Sequence, residues 1–527
     1  MVRTRSTLLA ALGCWTLSCG APIPYEDTAE TVRTLEQPTE ADAIRFLEQS
    51  SFGPTAGSIG HLMRVGIDAA ITEQFAAHRT VYSGTSTHSL GAQFFEHAVE
   101  RPDQLRQRVA FALSQIVVVS QAAFNNLDDR GQAAMARYLN LLSRDATLDY
   151  RTVLKDLSVD PAMGSYLNMA DNRAFKPDGT PLDPNENYAR ELLQLFSLGL
   201  YLLNDDGSLK LDGDHRPRPS YSQEQVEALA HTLTGWTYAA PSGCPARGRA
   251  NPKGDWVSPM LGCDVNHDSS SQRLLLGFRT TAGASAMQHL DQALDNIMAH
   301  PNVAPFISKQ LIQHLVSSNP SPGYVRRITT VFRNDGSGQV GNLSAVVRAI
   351  LEDPEARGDQ PPLRVSESFG HLRSPALLIT NVLRRLEADV SDGSALDTMA
   401  AAMHQDVPAP PSVFSYYPPG QPLPDSTTLF GPEFAIMDSA TGFARSDFLT
   451  RALFRSINGA TLHLEVLPAT PDAIVAWLNQ ELLHGKLSPE AQTLIREALI
   501  DRRVPASQQR ALGFYLAAVS PEFQIER

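Results

Sequence analysis

The sequence predicts an all-α protein. Apolar residues recur at three- and four-residue spacing in most segments from Ala41 to the C-terminus. Helix starts and stops are written out as Ser, Thr or Asp caps, first-turn prolines and terminal glycines. No stretch sustains the alternation that a half-buried strand needs.

The chain opens with a targeting segment, residues 1–21. Arg3 and Arg5 form a basic start, and residues 8–17 an apolar run too short to span a bilayer. Leu17-Ser18-Cys19-Gly20 reads as a loose lipobox, with Cys19 as the acylated residue of a bacterial lipoprotein. The spacing is imperfect, because Thr16 stands where a lipobox usually has Leu. Cleavage after Ala21 is the rival, and Cys14 is a weaker lipidation candidate. Membrane attachment is expected only through such a lipid anchor, since no later apolar run is long enough to cross. Residues 22–40 are polar and Pro-containing, as suits a tether.

Residues 41–400 read as the main helical domain, with its motif core at 183–270. Ile44, Phe46, Leu47 and Phe52 lead to the turn Gly53-Pro54-Thr55, and a second helix follows from about Ser58. Residues 104–120 begin amphipathic and end almost wholly apolar, which places their end in the core. In the motif core, Asp183 is expected as an N-cap, Pro184 at the first helical position and Glu186 as the capping-box carboxylate. Gly199 is the expected stop. Tyr188, Leu192, Leu195 and Phe196 make the apolar stripe, while Asn187, Arg190, Glu191 and Gln194 share the other side. Ser222 and Gln225 form a capping box opening a helix over 223–234, on which Glu227 and His231 are spaced to pair. Further helices are expected near 290–298, 304–316, 324–332 and 343–351. Residues 401–433 are Pro-rich and aromatic, too apolar for a free linker, and should pack as an ordered arm. Residues 434–527 return to helical spacing and should pack on the main domain.

Composition bounds the function. At 527 residues, 43% apolar and 19% charged, the chain has ordinary globular composition. The net charge of −13, from 44 basic and 57 acidic residues, argues against a nucleic-acid partner. Cys244 and Cys263 flank a Gly/Pro/Arg-rich loop that a disulfide would close in an oxidising compartment; two unrelated buried thiols are the alternative. No CxxC pair points to structural zinc. The chain has no GxSxG elbow, HExxH helix, Walker loop or GxGxxG after a strand, which disfavours the common serine hydrolases, zincins, nucleotide hydrolases and dinucleotide enzymes.

Several segments resemble the bacterial family called domain of unknown function 1800. They are Arg45-Phe46-Leu47 with Phe52-Gly53-Pro54-Thr55, and residues 103–115 around Arg106-Gln107-Arg108. The strongest is Asn185-Glu186-Asn187-Tyr188-Ala189-Arg190-Glu191-Leu192-Leu193. Thr232-Leu233-Thr234-Gly235-Trp236, His267-Asp268, Pro411-Ser412-Val413-Phe414 and Pro432-Glu433-Phe434 follow in order. The resemblance implies an exported helical protein. It also implies a partner from the family of unknown function 1501, which looks like the sulfatases and alkaline phosphatases. It supplies no reaction. Many members carry a His where this chain has Phe196.

The candidate site groups Glu186, Asn187, Arg190, Glu191 and Gln194 with His231 and His267-Asp268, if the loops fold back. Glu191, His231 and His267 could ligate a divalent metal, and the same carboxylates and imidazoles could share acid and base roles. Arg190 beside two Glu could equally clamp an anionic group. The third option is a buried structural network in which Arg190 bridges Glu186 and Glu191. The Asp205–Asp214 loop could hold calcium but lacks EF-hand spacing, which favours a plain turn, as for residues 334–338. Trp236 reads as a core anchor. Tyr416 and Tyr417 could stack on sugars or pack against prolines. Two functions follow: an envelope-anchored binding or scaffold protein acting with a partner or a surface polymer such as an envelope polysaccharide, or an exported metal-dependent hydrolase or modifier of envelope polymers centred on Glu186, Glu191, His231 and His267.

Overall fold

Helices begin where short polar side chains can hold the free N–H groups of a first turn. Thr39 and Asp42 form a capping box at the helix Glu40–Ser50, and Thr55 with Ser58 one at Ala56–Val65. Ser222 with Gln225 opens Gln223–Thr232, and Ser285 with Gln288 opens Ala286–Met298. Proline occupies the first turn of Pro161–Tyr166, Pro322–Arg333, Pro375–Arg385 and Pro489–Ile500, where its missing N–H costs nothing.

The computed structural model describes residues 37–124, 129–358, 368–426 and 428–526. The leader, most of the tether, and Cys14 and Cys19 lie outside the described residues. The described residues are mostly helical: 53% of them lie in helices, of which 22 are α-helices. Among the described residues, six two-residue strands pair as three antiparallel ribbons. No described helix is long and apolar enough to cross a membrane.

Two helices run through the interior. In Gln104–Ile116 every residue except Ser114 is buried, and in Pro375–Arg385 all are. The burial therefore extends past the apolar end of the first helix to its polar start. Its arginines donate chiefly to backbone carbonyls: Arg106 to Phe75 and Ser143, and also to the Thr147 hydroxyl, and Arg108 to His314, while the Nε of each has no partner among the described residues. The arm packs over this interior, with Tyr416 and Tyr417 buried and the Tyr416 hydroxyl donating to the Asp406 carbonyl at 3.0 Å. Packing, not an open sugar-stacking face, accounts for both rings. The helices Ser439–Phe454 and Ala506–Ala518 lie against each other, with Ser446 bonded to Tyr515 at 2.8 Å.

The chain end is drawn into the core. The strand Ile525–Glu526 pairs with His371–Leu372, bringing charged groups from distant segments together. Arg373 donates to Glu48 at 2.9 Å, contacts Glu526 at 3.3 Å and donates its Nε to the Phe523 carbonyl at 2.8 Å. His371 lies 3.3 Å from Glu433 and 3.7 Å from Glu526, and His484 lies 3.3 Å from Glu48. None of these side chains is more than 6% exposed. Burial alone would raise the Glu48 pKa, but Arg373 and His484 pull it well below the usual range. Burial alone would lower His371, but Glu526 and Glu433 reverse this and hold it at about 9.

This fixes a pH dependence. The His371 pKa is raised above its ordinary 6.5, so its stabilisation is complete below pH 6.5 and is lost as pH climbs through about 9. Chemical denaturation should therefore show wild type exceeding His371→Gln most at pH 6. The difference should narrow by on the order of 3 kcal/mol once pH passes the folded-state value. A constant difference across that range would refute the assignment.

Candidate functional site

The motif helix is Asn187–Gln194, three residues shorter at its start than the caps at Asp183 and Pro184 imply. Competing side-chain bonds explain the difference. Asn172 and Asn185 exchange two bonds at 2.8 and 2.9 Å, and Asn185 Oδ1 accepts from the Asn187 N–H at 2.9 Å. These bonds hold 183–186 outside the helix, leaving Glu186 as the uncapped N-cap residue. The end also comes earlier than expected: the helix stops at Gln194 with Leu195 as its C-cap, and Gly199, at φ +72°, closes the turns that follow, its N–H returning to the Leu193 carbonyl.

The helix Gln223–Thr232 packs beside it, and the candidate residues separate into three sets. In the first, Arg190 donates to Glu186 at 2.6 Å and to Gln223 at 3.0 Å. Gln223 donates in turn to Glu186 and Glu227. Arg190 and Glu186 are about one-third exposed and Gln223 and Glu227 are exposed, so this is a surface network and not a closed core. Arg190 does not bridge to Glu191, which corrects the expected Glu-Arg-Glu sandwich.

Glu191 is buried, and its Oε2 has no hydrogen-bond partner. Burial raises its pKa, with Arg190 opposing. The second set is a dyad: His231 Nδ1 bonds Asp268 Oδ2 at 2.8 Å, so His231 does not pair with Glu227. Burial would raise Asp268, but Ser270 and His231 pull it below the usual carboxylate range. The third set is buried. His267 Nδ1 meets the Thr234 carbonyl at 2.9 Å, and its Nε2 meets His289 Nδ1 at 2.8 Å. His289 Nε2 then meets the Thr281 carbonyl at 2.8 Å. Burial lowers the His267 pKa, with the Thr234 bond opposing. Three contacts in a row need three protons, and two neutral imidazoles bring two.

His267 is thus committed to the interior and does not join His231. Among the described residues, Glu191, His231 and His267 do not gather within reach of one ion. The Asp205–Asp214 loop is a pair of turns, as favoured. Asp206 and Asp212 accept from their own backbone, and Asp205 and Asp206 pair with Arg333 and Arg326. Trp236 is 1% exposed, as a core anchor should be.

Beside the dyad lies a groove of about 700 Å³. One wall is the start of Gln223–Thr232, from Ser222 to Ala228; the other is the hairpin from Ser271 to Arg279. Ala228 stands one turn before His231. Arg273 and Arg279 face each other across the hairpin bridge and are exposed. Among the described residues, neither forms an ion pair. Cys244 and Cys263 form a disulfide, as the loop composition suggested, beside the ribbon Trp236–Thr237 with Leu261–Gly262. A second cavity, of about 30 Å³, is apolar and closed over by Pro408 and Tyr416 of the arm.

The profile described as Protein of unknown function (DUF1800) matches residues 45–525. The chain belongs to this family. No curated protein and no solved structure matches it. The DUF1800 stations divide into two groups in space. Glu48, Arg108 and Glu433, in or beside three of them, belong to the buried ionic centre or its surroundings. Asn185–Leu193, Thr232–Trp236 and His267-Asp268 meet around the candidate site. Phe196 is buried, and its carbonyl accepts from the Tyr150 hydroxyl at 2.7 Å. Sequence reasoning missed Gln223, His289, Arg273 and Arg279. Gln223 stood one residue past a recognised cap, but nothing in the chain linked it to Glu186. The hairpin arginines carried no signal, since an Arg-flanked apolar run reads as core.

Glu191 yields a direct test. Its raised folded-state pKa means that the carboxylate costs stability at neutral pH, a cost absent below the ordinary value of 4.5. Glu191→Gln should leave stability at pH 7 unchanged or raise it by about 1 kcal/mol, and lose that advantage in acid. A loss of stability at pH 7 in urea melts would show that the carboxylate has a charged partner.

Proposed function

We propose that the chain is an exported, envelope-anchored binding protein whose groove along Gln223–Thr232 holds a segment of an acidic surface polysaccharide. The groove carries this reading. It is open, and its polar lining is the amides of Gln225 and Gln272, the hydroxyls of Ser222 and Ser271, one carboxylate, Glu224, and two arginines, Arg273 and Arg279, without carboxylate partners among the described residues; Ala228, Leu274 and Gly277 complete it. Such a lining suits the hydroxyls and carboxylates of an extended sugar chain better than an apolar ligand. The leader supports export, and the Cys244–Cys263 disulfide fits an oxidising compartment. The partner implied by the family, a sulfatase- or phosphatase-like protein of the unknown-function 1501 family, would act on the polymer while this chain holds it.

One observation favours a hydrolase as the second reading. His231 is oriented by Asp268 through Nδ1, is about one-third exposed and lies one turn beyond the groove. An imidazole held this way can serve as a general base. It does so here without Glu191 or His267 in reach.

Affinity electrophoresis through gels containing alginate, an acidic polysaccharide, separates these. Wild type should be retarded, and Arg273→Ala/Arg279→Ala should weaken retention by roughly tenfold or more. Absence of retardation in wild type would overturn the proposal. Polymer cleavage abolished by His231→Ala would establish the second reading in its place.

A further inference from the structure

A side-chain cluster far along the sequence from the motif core has the composition of a metal centre. His88 immediately precedes Ser89, the cap of the helix Leu90–Glu100; Glu96 lies on that helix; Asp392 lies in the turn before Ser394–Ala402. One donor atom from each, an imidazole nitrogen and two carboxylate oxygens, lies within 4.8 Å of the other two. His88 Nδ1 and Glu96 Oε1 are 2.7 Å apart. All three residues are partly buried, so the cluster opens to solvent on one side.

The donors are held in place by their surroundings. Gln93 and Gln132 both donate to the His88 carbonyl, and the His88 N–H donates to Ser86. Glu96 Oε1 accepts from the Gly393 N–H at 3.1 Å, which ties the helix to the turn carrying Asp392. That closeness depends on Gly393, where an added Cβ would lie 2.1 Å from the Ala92 carbonyl oxygen. On the other side, the N–H groups of Ser391 and Asp392 both donate to the Gly459 carbonyl. Ser394 donates to Asp392 Oδ1 at 2.9 Å, leaving Oδ2 for another partner. Ligands whose backbones are fixed before binding pay little to organise around an ion.

We propose that His88, Glu96 and Asp392 bind one divalent cation of the zinc or manganese class. One imidazole nitrogen and two carboxylates suit these borderline-to-hard ions, and two carboxylates balance the double charge. Three protein ligands leave at least one position for water or for an oxygen of a bound molecule. The cation takes the place of the hydrogen bond between His88 Nδ1 and Glu96 Oε1, whose proton is released to solvent. This site is independent of the groove, and neither depends on the other.

Titration of the metal-stripped full chain tests it, with Zn²⁺ read by a competing chelating dye and Mn²⁺ by paramagnetic resonance. Wild type should take up one equivalent of each ion, and Zn²⁺ should raise its melting temperature. Asp392→Asn and His88→Gln should each weaken binding by roughly tenfold or more, at unchanged helical circular dichroism. Asp392→Asn keeps the acceptor for Ser394, so it guards against loss of fold. His61→Gln, which alters an exposed His–Glu pair elsewhere, should bind as wild type does. Wild type that takes up neither ion, or a double variant Asp392→Asn/His88→Gln that binds like wild type, would overturn the proposal and leave a plain hydrogen-bonded cluster.

Discussion

A buried ionic centre holds the two ends of the described chain in one structure. Glu48 lies on the first described helix, Arg373 and His371 beside the central helix Pro375–Arg385, and Glu526 on the last strand. Taking these charges out of water is costly, and the cost is offset only when every partner is present. Each does meet an opposite charge. Arg373 lies between Glu48 and Glu526, and His371 between Glu433 and Glu526. The Phe523 ring also lies under the Arg373 guanidinium, 4.9 Å from its centroid. Apolar burial alone would allow the C-terminal helices to slide, since it is non-directional. Charge pairing fixes their register.

The fold class and most helices were legible because their signals are local. The turn Gly53-Pro54-Thr55, the capping box at Ser222, and the helical spacing near 290–298 and 324–332 each fall within a few turns of chain. What could not be read was any feature made by distant segments. Glu48, His371 and Glu526 are unremarkable as sequence neighbours, and their meeting follows from topology. The motif helix shows a subtler limit. Asp183-Pro184 is a good start signal, yet Asn172, 13 residues before Asn185, wins the backbone groups.

The candidate site was half legible. The sequence singled out His231 and Asp268, and they pair. It also grouped Glu191 and His267 with them, and those two turn elsewhere. Helical spacing explains the failure. Glu191 follows Arg190 by one residue, about 100° around the helix, so the two point in different directions. Arg190 reaches the surface network with Gln223, while Glu191 turns into the protein. His267 is drawn inward by the Thr234 carbonyl, whereas Asp268, next in the chain, faces outward to His231. Adjacent polar residues in a motif therefore served packing and surface chemistry separately.

The central claim is that Arg373 and Glu526 are energetically coupled across the closure of the chain. A double-mutant cycle with Arg373→Met and Glu526→Gln, followed by chemical denaturation at pH 7, measures that coupling. The account predicts large single losses and an interaction energy of about 1–3 kcal/mol. Losses that add to within about 0.5 kcal/mol would contradict it, because the two groups would then stabilise the fold independently.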